Sequence, residues 1–226
     1  RLDSERYRWR AAAQSPFEGI QAPEDSIDLF AGMARIFFQA AGLGTQKDFA
    51  GWAGISQRDA KAAIERVAVL PVAVDGDDEV HYLLEERRGL PEESADAVSA
   101  VAFLPFEDNL IHLHGGPARV VDEAHHAVPV PVWGSGKTTT IGEARHMSLR
   151  SVVAEGKVSG FWEFDPDARE VVYKGFEGLS SSTRKKMDAT AQDLSRFLAE
   201  DLGHGRSFTL DTDEELRKRS AQVRGM

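Results

Sequence analysis

The stretch VPVWGSGKTT (130–139) holds the residues with the most suggestive chemistry, because Gly136-Lys137-Thr138 has the form that closes a phosphate-binding loop, G-x-x-x-x-G-K-[ST]. Such a loop cradles phosphates with backbone N–H groups and adds a lysine cation and a hydroxyl for magnesium. Its first glycine would stand at Pro131, which has no N–H to offer. HHAVPVPV before it reads as a proline-broken extended segment, and TTTIGEARHM after it lacks apolar helical spacing. A nucleotide site is not expected. What remains is a Gly-Ser-Gly turn carrying Lys137 and Thr138, able to lend N–H groups and a cation to a nucleic-acid phosphate.

Other residues invite chemistry of their own. His112 and His114 alternate along an expected strand, and His125 and His126 follow beside Asp122 and Glu123. These types suit zinc or another divalent ion. No H-x₃₋₅-H or H-E-x-x-H spacing joins them, so the expectation is a solvated histidine-rich edge with no metal and no other cofactor. GLSSSTRKK (178–186) offers serines but no G-x-S-x-G elbow, and Ser181 or Ser182 is expected to cap a helix. Arg184, Lys185 and Lys186 in that helix's first turn oppose its dipole unless an anion lies nearby, which a phosphate backbone would supply. Lys137, Arg145, His146 and Arg150 form a second basic cluster, with Glu143 against them.

The 226 residues suffice for one large domain or two small ones without a metal or disulfide staple, and the absence of cysteine excludes disulfides and thiolate chemistry. That fits a reducing, cytoplasmic location. No apolar run reaches the length of a membrane span and no signal peptide opens the sequence. It begins with Arg1, as a trimmed start or a piece of a longer polypeptide would. The net charge of −10 argues against a generic nucleic-acid binder. However, the acidity is local: residues 75–96 hold nine acids against two arginines, whereas residues 1–74 balance nine with nine.

Residues 1–24 read as an N-terminal segment and linker. From Asp25 onward, Ile27, Phe30, Ala34, Phe37 or Phe38 and Ala41 recur at helical spacing, with Asp25 or Ser26 as cap and Gly42 as stop. Thr45 begins a short second helix and Ser56 a third, with Asp59 at its capping-box position. VLPVAV and EVHYLLE then make a hairpin through DGDD. Three helices followed by a hairpin is the winged-helix order, expected over 25–86. Gln57, Arg58, Lys61 and Arg66 lie on the exposed side of the third helix, where a DNA groove would meet them. The acidic hairpin turn would be repelled by phosphates.

An acidic linker is expected over 87–98. A second domain over 99–203 reads as AVAFLPF, LIHLHG, ARVVD, HMSLRSVVA, KVSGFWEF and EVVYKGF strands, with hairpin turns at EG (155–156) and DPDA (165–168). A long helix from about Ser182 to Leu202 closes it, with Met187, Ala191, Leu194, Leu198 and Leu202 on one face and Gly203 as stop. Residues 204–226 read as a polar tail with one short helix.

Four stretches carry a resemblance. AAGLGTQKDFAGWAGISQRDAKAAIE (40–65), FLPFEDNLIHLHGG (103–116), AEGKVSGFWEFDPDAREVVYKGF (154–176) and GRSFTLD (205–211) are similar, in order and spacing, to the winged-helix DNA-binding family that includes the AlkZ-like DNA glycosylases. The likeness runs from about Asp25 to Asp211. It implies an α+β chain of tandem winged-helix-like domains, the second rich in antiparallel hairpins, cradling double-stranded DNA. Glycosylase members hydrolyse the N-glycosidic bond of alkylated bases with a Gln-x-Gln or Gln-x-Asp pair in an N-terminal winged helix. That domain is expected to lie outside the stretches matched. Gln21 is the one echo of the pair, but Pro23 stands two residues on, so no catalytic residue is carried over. The expected DNA contacts are Gln57, Arg58, Lys61, Arg66, Lys137, Thr138, Arg145, Arg184, Lys185 and Lys186. The alternatives are a protein-interaction or homo-oligomerisation module, or a small-molecule or metal-dependent enzyme using 112–137.

Overall fold

In the computed structural model, which describes residues 11, 13–15, 18, 19, 21, 23–89, 100–132, 135–207 and 211–226, the chain is of the α+β class. Most of the expected N-terminal segment and of the acidic linker falls outside the described residues. Contacts divide the chain into two units: Ser4–Glu92 with His112–Gly115, and Arg1–Asp3 and Glu93–Ile111 with Gly116–Met226.

In the first unit Asp25 starts α1 (Ser26–Ala41) by accepting from the Ile27 N–H at 2.8 Å, and Gly42, at φ 76°, ends it. Ala34, Phe37 and Phe38 repeat at helical spacing and are fully buried. β1 (Leu43–Thr45) runs straight into α2 (Gln46–Ala53), because Thr45 and Asp48 form a capping box that satisfies two backbone N–H groups at once. Ser56 caps α3 (Gln57–Ile64), whose Ala60, Ala63 and Ile64 turn inward. β2 (Val69–Val74) and β3 (Asp77–Leu84) pair antiparallel, and β1 joins the free edge of β3. Phe37, Phe38 and Phe49 pack ring against ring over this sheet, with centroids 5.1–6.2 Å apart.

The chain beyond residue 99 departs from expectation in its first half. After β4 (Val101–Phe103), LIHLHG is no strand: it lies within and just past α4 (Asn109–Leu113), whose first turn Asp108 caps by accepting from the Leu110 N–H at 2.9 Å. ARVVD is likewise not a strand. Gly115 and Gly116, both at positive φ, turn the chain, and Pro117 begins the short helix α5 (Pro117–Val120). β5 (Pro129–Pro131) and β6 (Thr138–Thr140) form a two-stranded hairpin. The main sheet is antiparallel in the order β4-β7-β8-β9, with β7 (Arg150–Ala154), β8 (Lys157–Asp165) and β9 (Glu170–Gly175) joined by the two expected turns.

A bulge shapes this sheet. Val153 pairs with Val158 and Val152 with Gly160, so Ser159 is the extra residue in β8. The side-chain alternation therefore resets: Val158 and Phe161 share one core cluster, whereas Trp162 and Phe164 join another. Gly160 is required here, since a Cβ would stand 2.3 Å from the Lys174 carbonyl oxygen.

α6 (Ser181–Arg196) covers the Trp162 face through Met187 and Ala191, continues as a π-helical turn over Phe197–Leu202, and stops at Gly203. Its cap is Ser180, one residue earlier than expected, accepting from the Thr183 N–H. The Tyr173 phenol of β9 donates to the Asp188 carboxylate of α6, and burial with that carboxylate pushes its pKa up to about 12.

The expected polar tail instead carries a 13-residue helix, α7 (Asp213–Gly225), capped by Thr212 and laid against β8 with Leu216, Ser220 and Val223 buried. Ion pairs bind it there. Glu163, fully buried on β8, accepts from Arg150 on β7 at 3.0 Å and from Arg219 on α7. Arg219 also reaches buried Asp211 at 2.8 Å. The Arg150 guanidinium meets the Gly205 carbonyl and the Ser207 hydroxyl and lies 4.8 Å over the Trp162 ring. At the next turn Asp165 pairs with Arg224 and Asp167 with Arg217.

Two outcomes test this arrangement. Glu163→Ala leaves the buried Arg150 and the half-buried Arg219 guanidiniums short of their counter-charge and is expected to cost about 3–5 kcal/mol in urea unfolding. Acid should act on the same helix. Burial alone would raise the Asp165 pKa, but Arg224 and the N–H groups of Ala168 and Asp167 hold it below the ordinary range; Arg217 does the same for Asp167. Carboxyls lowered on folding stabilise above their unfolded pKa of about 3.9 and lose that contribution as pH falls through the folded value. The unfolding midpoint should thus be flat above pH ~5 and fall below pH ~4, less steeply in the Asp165→Asn, Asp167→Asn variant.

Candidate nucleic-acid interface

α3 carries three of the expected contact residues, and they differ in freedom. Gln57 is held by the Gln46 side-chain amide, which donates to its Oε1 at 3.0 Å and its carbonyl at 3.1 Å. Arg58 and Lys61 are exposed and have no ion pair among the described residues. Arg66 lies beyond the end of α3 and pairs with Asp25 at 2.6 Å and Asp28 at 2.5 Å, tying the α3 exit to the start of α1. The Ile27 N–H and then Arg66 lower the pKa of Asp25, and the two aspartates raise that of Arg66. Its guanidinium is occupied by the fold.

In the second unit Lys137 and Thr138 stand at the exposed start of β6. The Lys137 carbonyl accepts from the Val132 N–H at 2.8 Å, closing the hairpin, while its own N–H donates to the Ser135 hydroxyl. Gly136, at φ 65°, makes the turn, and strand β6 rather than a helix follows it, so no helix N-terminus faces a phosphate there. The hairpin is rooted by Val130 and, just past β6, Ile141, both buried beside Phe161 and Phe176. Its flank borders a cavity of about 530 Å³ whose lining includes Val132, Thr139, Glu143, Arg145, His146 and Glu107. The cavity-side roles of Glu107, Glu143 and Thr139 were not legible in the sequence, because only the fold brings 107 beside 139–146.

The basic run on α6 lies elsewhere. Val130 and Ile141 pack on the Phe161 face of the main sheet, whereas α6 covers the Trp162 face. Lys137 and Arg145 therefore share one neighbourhood, and Arg184, Lys185 and Lys186 form a second. The anion expected near the α6 start is present within the chain: the Thr183 hydroxyl donates to the Glu155 carboxylate at 2.5 Å. Arg184 donates to the Phe176 carbonyl at 3.2 Å.

The histidines do not gather as the sequence suggested. His112 is on α4 and His114 in the turn after it, where burial lowers its pKa. The His125 ring lies 4.7 Å from that of Phe176, and His126 meets the Val121 carbonyl at 3.2 Å.

Comparison with known proteins gives a consistent picture. A family model described as DNA glycosylase AlkZ-like matches residues 4–197. Among solved structures, the chain is similar to the Streptomyces sahachiroi DNA glycosylase AlkZ, with 19% identity and a TM-score of 0.56, over 83% of this chain and 46% of that one. The likeness is one of fold, and the chain spans less than half the length of that protein. No curated protein sequence matches.

The two kinds of cation on and after α3 are separable by experiment. Arg66→Ala should lower the thermal midpoint, most at low salt, and Arg58→Ala should leave it in place. Equal midpoints would mean that the Asp25–Arg66–Asp28 contacts carry no weight.

Proposed function

This chain belongs to the AlkZ-like DNA glycosylase family, and from that premise we propose that it binds duplex DNA in a DNA-repair role. One observation supports the reading most. In a chain of net charge −10, where most arginines of the second unit are held by carboxylates or carbonyls, Arg58, Lys61, Lys137, Arg145 and Lys185 have no such partner among the described residues. Cations left exposed and unpaired are the type that displaces counterions from DNA phosphates. We read α1–α3 and the β2–β3 hairpin as a winged helix-turn-helix, with Arg58 and Lys61 facing the DNA. Lys137 and Thr138 at the β5–β6 hairpin, with Arg145, would meet the sugar–phosphate backbone. Gln57, Arg66 and Arg184 contribute less, since each already has a partner. No catalytic residue is carried over to this chain, because Gln21 with Pro23 two positions on is no polar pair.

Fluorescence anisotropy with a labelled duplex across a salt series tests this. Affinity should fall steeply with salt, and Lys137→Ala should lower the slope of log affinity against log salt by roughly one. Lack of binding at low salt, to plain and alkylated duplexes alike, would overturn the reading. Self-association through the α3 face is the second reading; it draws on the ties of Gln57 and Arg66, and a dimer lost in Lys61→Glu would favour it.

A further inference from the structure

One face of α1 carries apolar surface that the described residues of the first unit leave uncovered. Leu29 is 48% exposed and Ile36 60%, although both are large apolar side chains. They stand seven residues apart, two turns along one line of the helix. Exposed Gly32 and Ala40 and half-buried Met33 complete the stripe at spacings of three and four. Ala34, Phe37 and Phe38 occupy the core side of the same helix. Gly32 is the telling residue. Glycine within a helix costs stability relative to alanine, and a Cβ at this position would meet nothing within 4 Å. No neighbour among the described residues therefore accounts for a glycine at the centre of the stripe. The close approach of a second backbone from outside would account for it.

The two ends of the stripe differ in charge. At the start of α1, Asp25 and Asp28 share Arg66, which leaves one negative charge unbalanced. Toward its end, Arg35 pairs with Glu86 of the 3-10 turn Glu85–Arg87, and Arg87 and Arg88 outnumber Glu85 there, which leaves one positive charge. A second copy laid antiparallel, with the two-fold axis at Gly32, sets the acidic end of each helix on the basic end of the other and Leu29 on Ile36. A parallel pair would set like charge on like. We propose that α1 is a self-association face, on which two copies of this chain pack α1 against α1, antiparallel and crossing at Gly32. The contact uses neither Arg58 nor Lys61, so it stands independently of the duplex reading.

Sedimentation velocity on the whole chain over a concentration series tests this. A concentration-dependent dimer is expected, and a weak one, because a single helix pair is smaller than a standard interface. Ile36→Glu places an unpaired charge in the contact and should raise the dimer dissociation constant about tenfold or more. Its thermal midpoint should not move, since Ile36 is exposed in the single copy. Lys61→Glu should leave the dimer in place. The chain has no cysteine, so Gly32→Cys supplies a single thiol. Mild oxidation should join two copies through it, as a crossing at Gly32 brings the two positions within disulfide reach, and Arg58→Cys should stay unjoined. A chain that is monomeric at every concentration overturns the proposal, as does a dimer unchanged in folded Ile36→Glu or abolished by Lys61→Glu. Should Ile36→Glu not fold, the thiol variants decide: cross-linking no greater at position 32 than at position 58 overturns it.

Discussion

The second unit depends on Glu163, a fully buried carboxylate between Arg150 and Arg219. A lone charge there would cost several kcal/mol, so each member is tolerable only while the others are in place. Asp211 completes the set by sharing Arg219, and Arg150 is further satisfied by a carbonyl, a hydroxyl and the face of Trp162. Desolvation lowers the pKa of Arg150 and its carboxylate neighbours oppose that shift. These four residues come from β7, β8, the segment before α7, and α7. Their pairing therefore fixes the C-terminal helix to the sheet and the sheet strands to one another.

That frame positions the hairpin. The sheet face under α7 holds Phe161, and the reset of alternation at Ser159 places Val158 on the same side. Val130, in the middle of β5, and Ile141, just past β6, are buried in that cluster. The root is thus packed while Lys137 and Thr138 are left exposed. Gly160 is the point where this could fail, since its α-carbon sits against the backbone of β9 and no side chain fits.

The sequence made the first unit legible because its signals are local. Asp25, Thr45 and Ser56 cap by hydrogen bonds within three residues, and each apolar face repeats at helical spacing. The hairpins of the main sheet were legible for the same reason. Two regions were not. LIHLHG has strand-like alternation, but Asp108 before it supplies a helix cap, and that cap prevails. α7 was hidden because it buries only Leu216 and Val223 as apolar residues; what docks it are arginines whose partners lie about 50 residues earlier in the chain. Periodicity cannot report an ion pair across such a distance. The same limit applies to the candidate contact residues: residue type nominated Arg66, and only the structure shows it held by Asp25 and Asp28.

Charge assignment explains how an acidic chain can still present a cationic contact surface. A net charge of −10 describes the sum, but phosphates respond to cations whose field is not already cancelled within a few ångströms. Arg217, Arg219 and Arg224 are matched by carboxylates that hold α7, and Arg150 is enclosed. Their positive charge serves cohesion and is unavailable outside. Lys137 is not matched in this way, and it sits on a two-stranded projection where desolvation on contact costs little. A phosphate approaching this hairpin would therefore meet an uncancelled cation at Lys137, whereas the arginines that dock α7 offer it none.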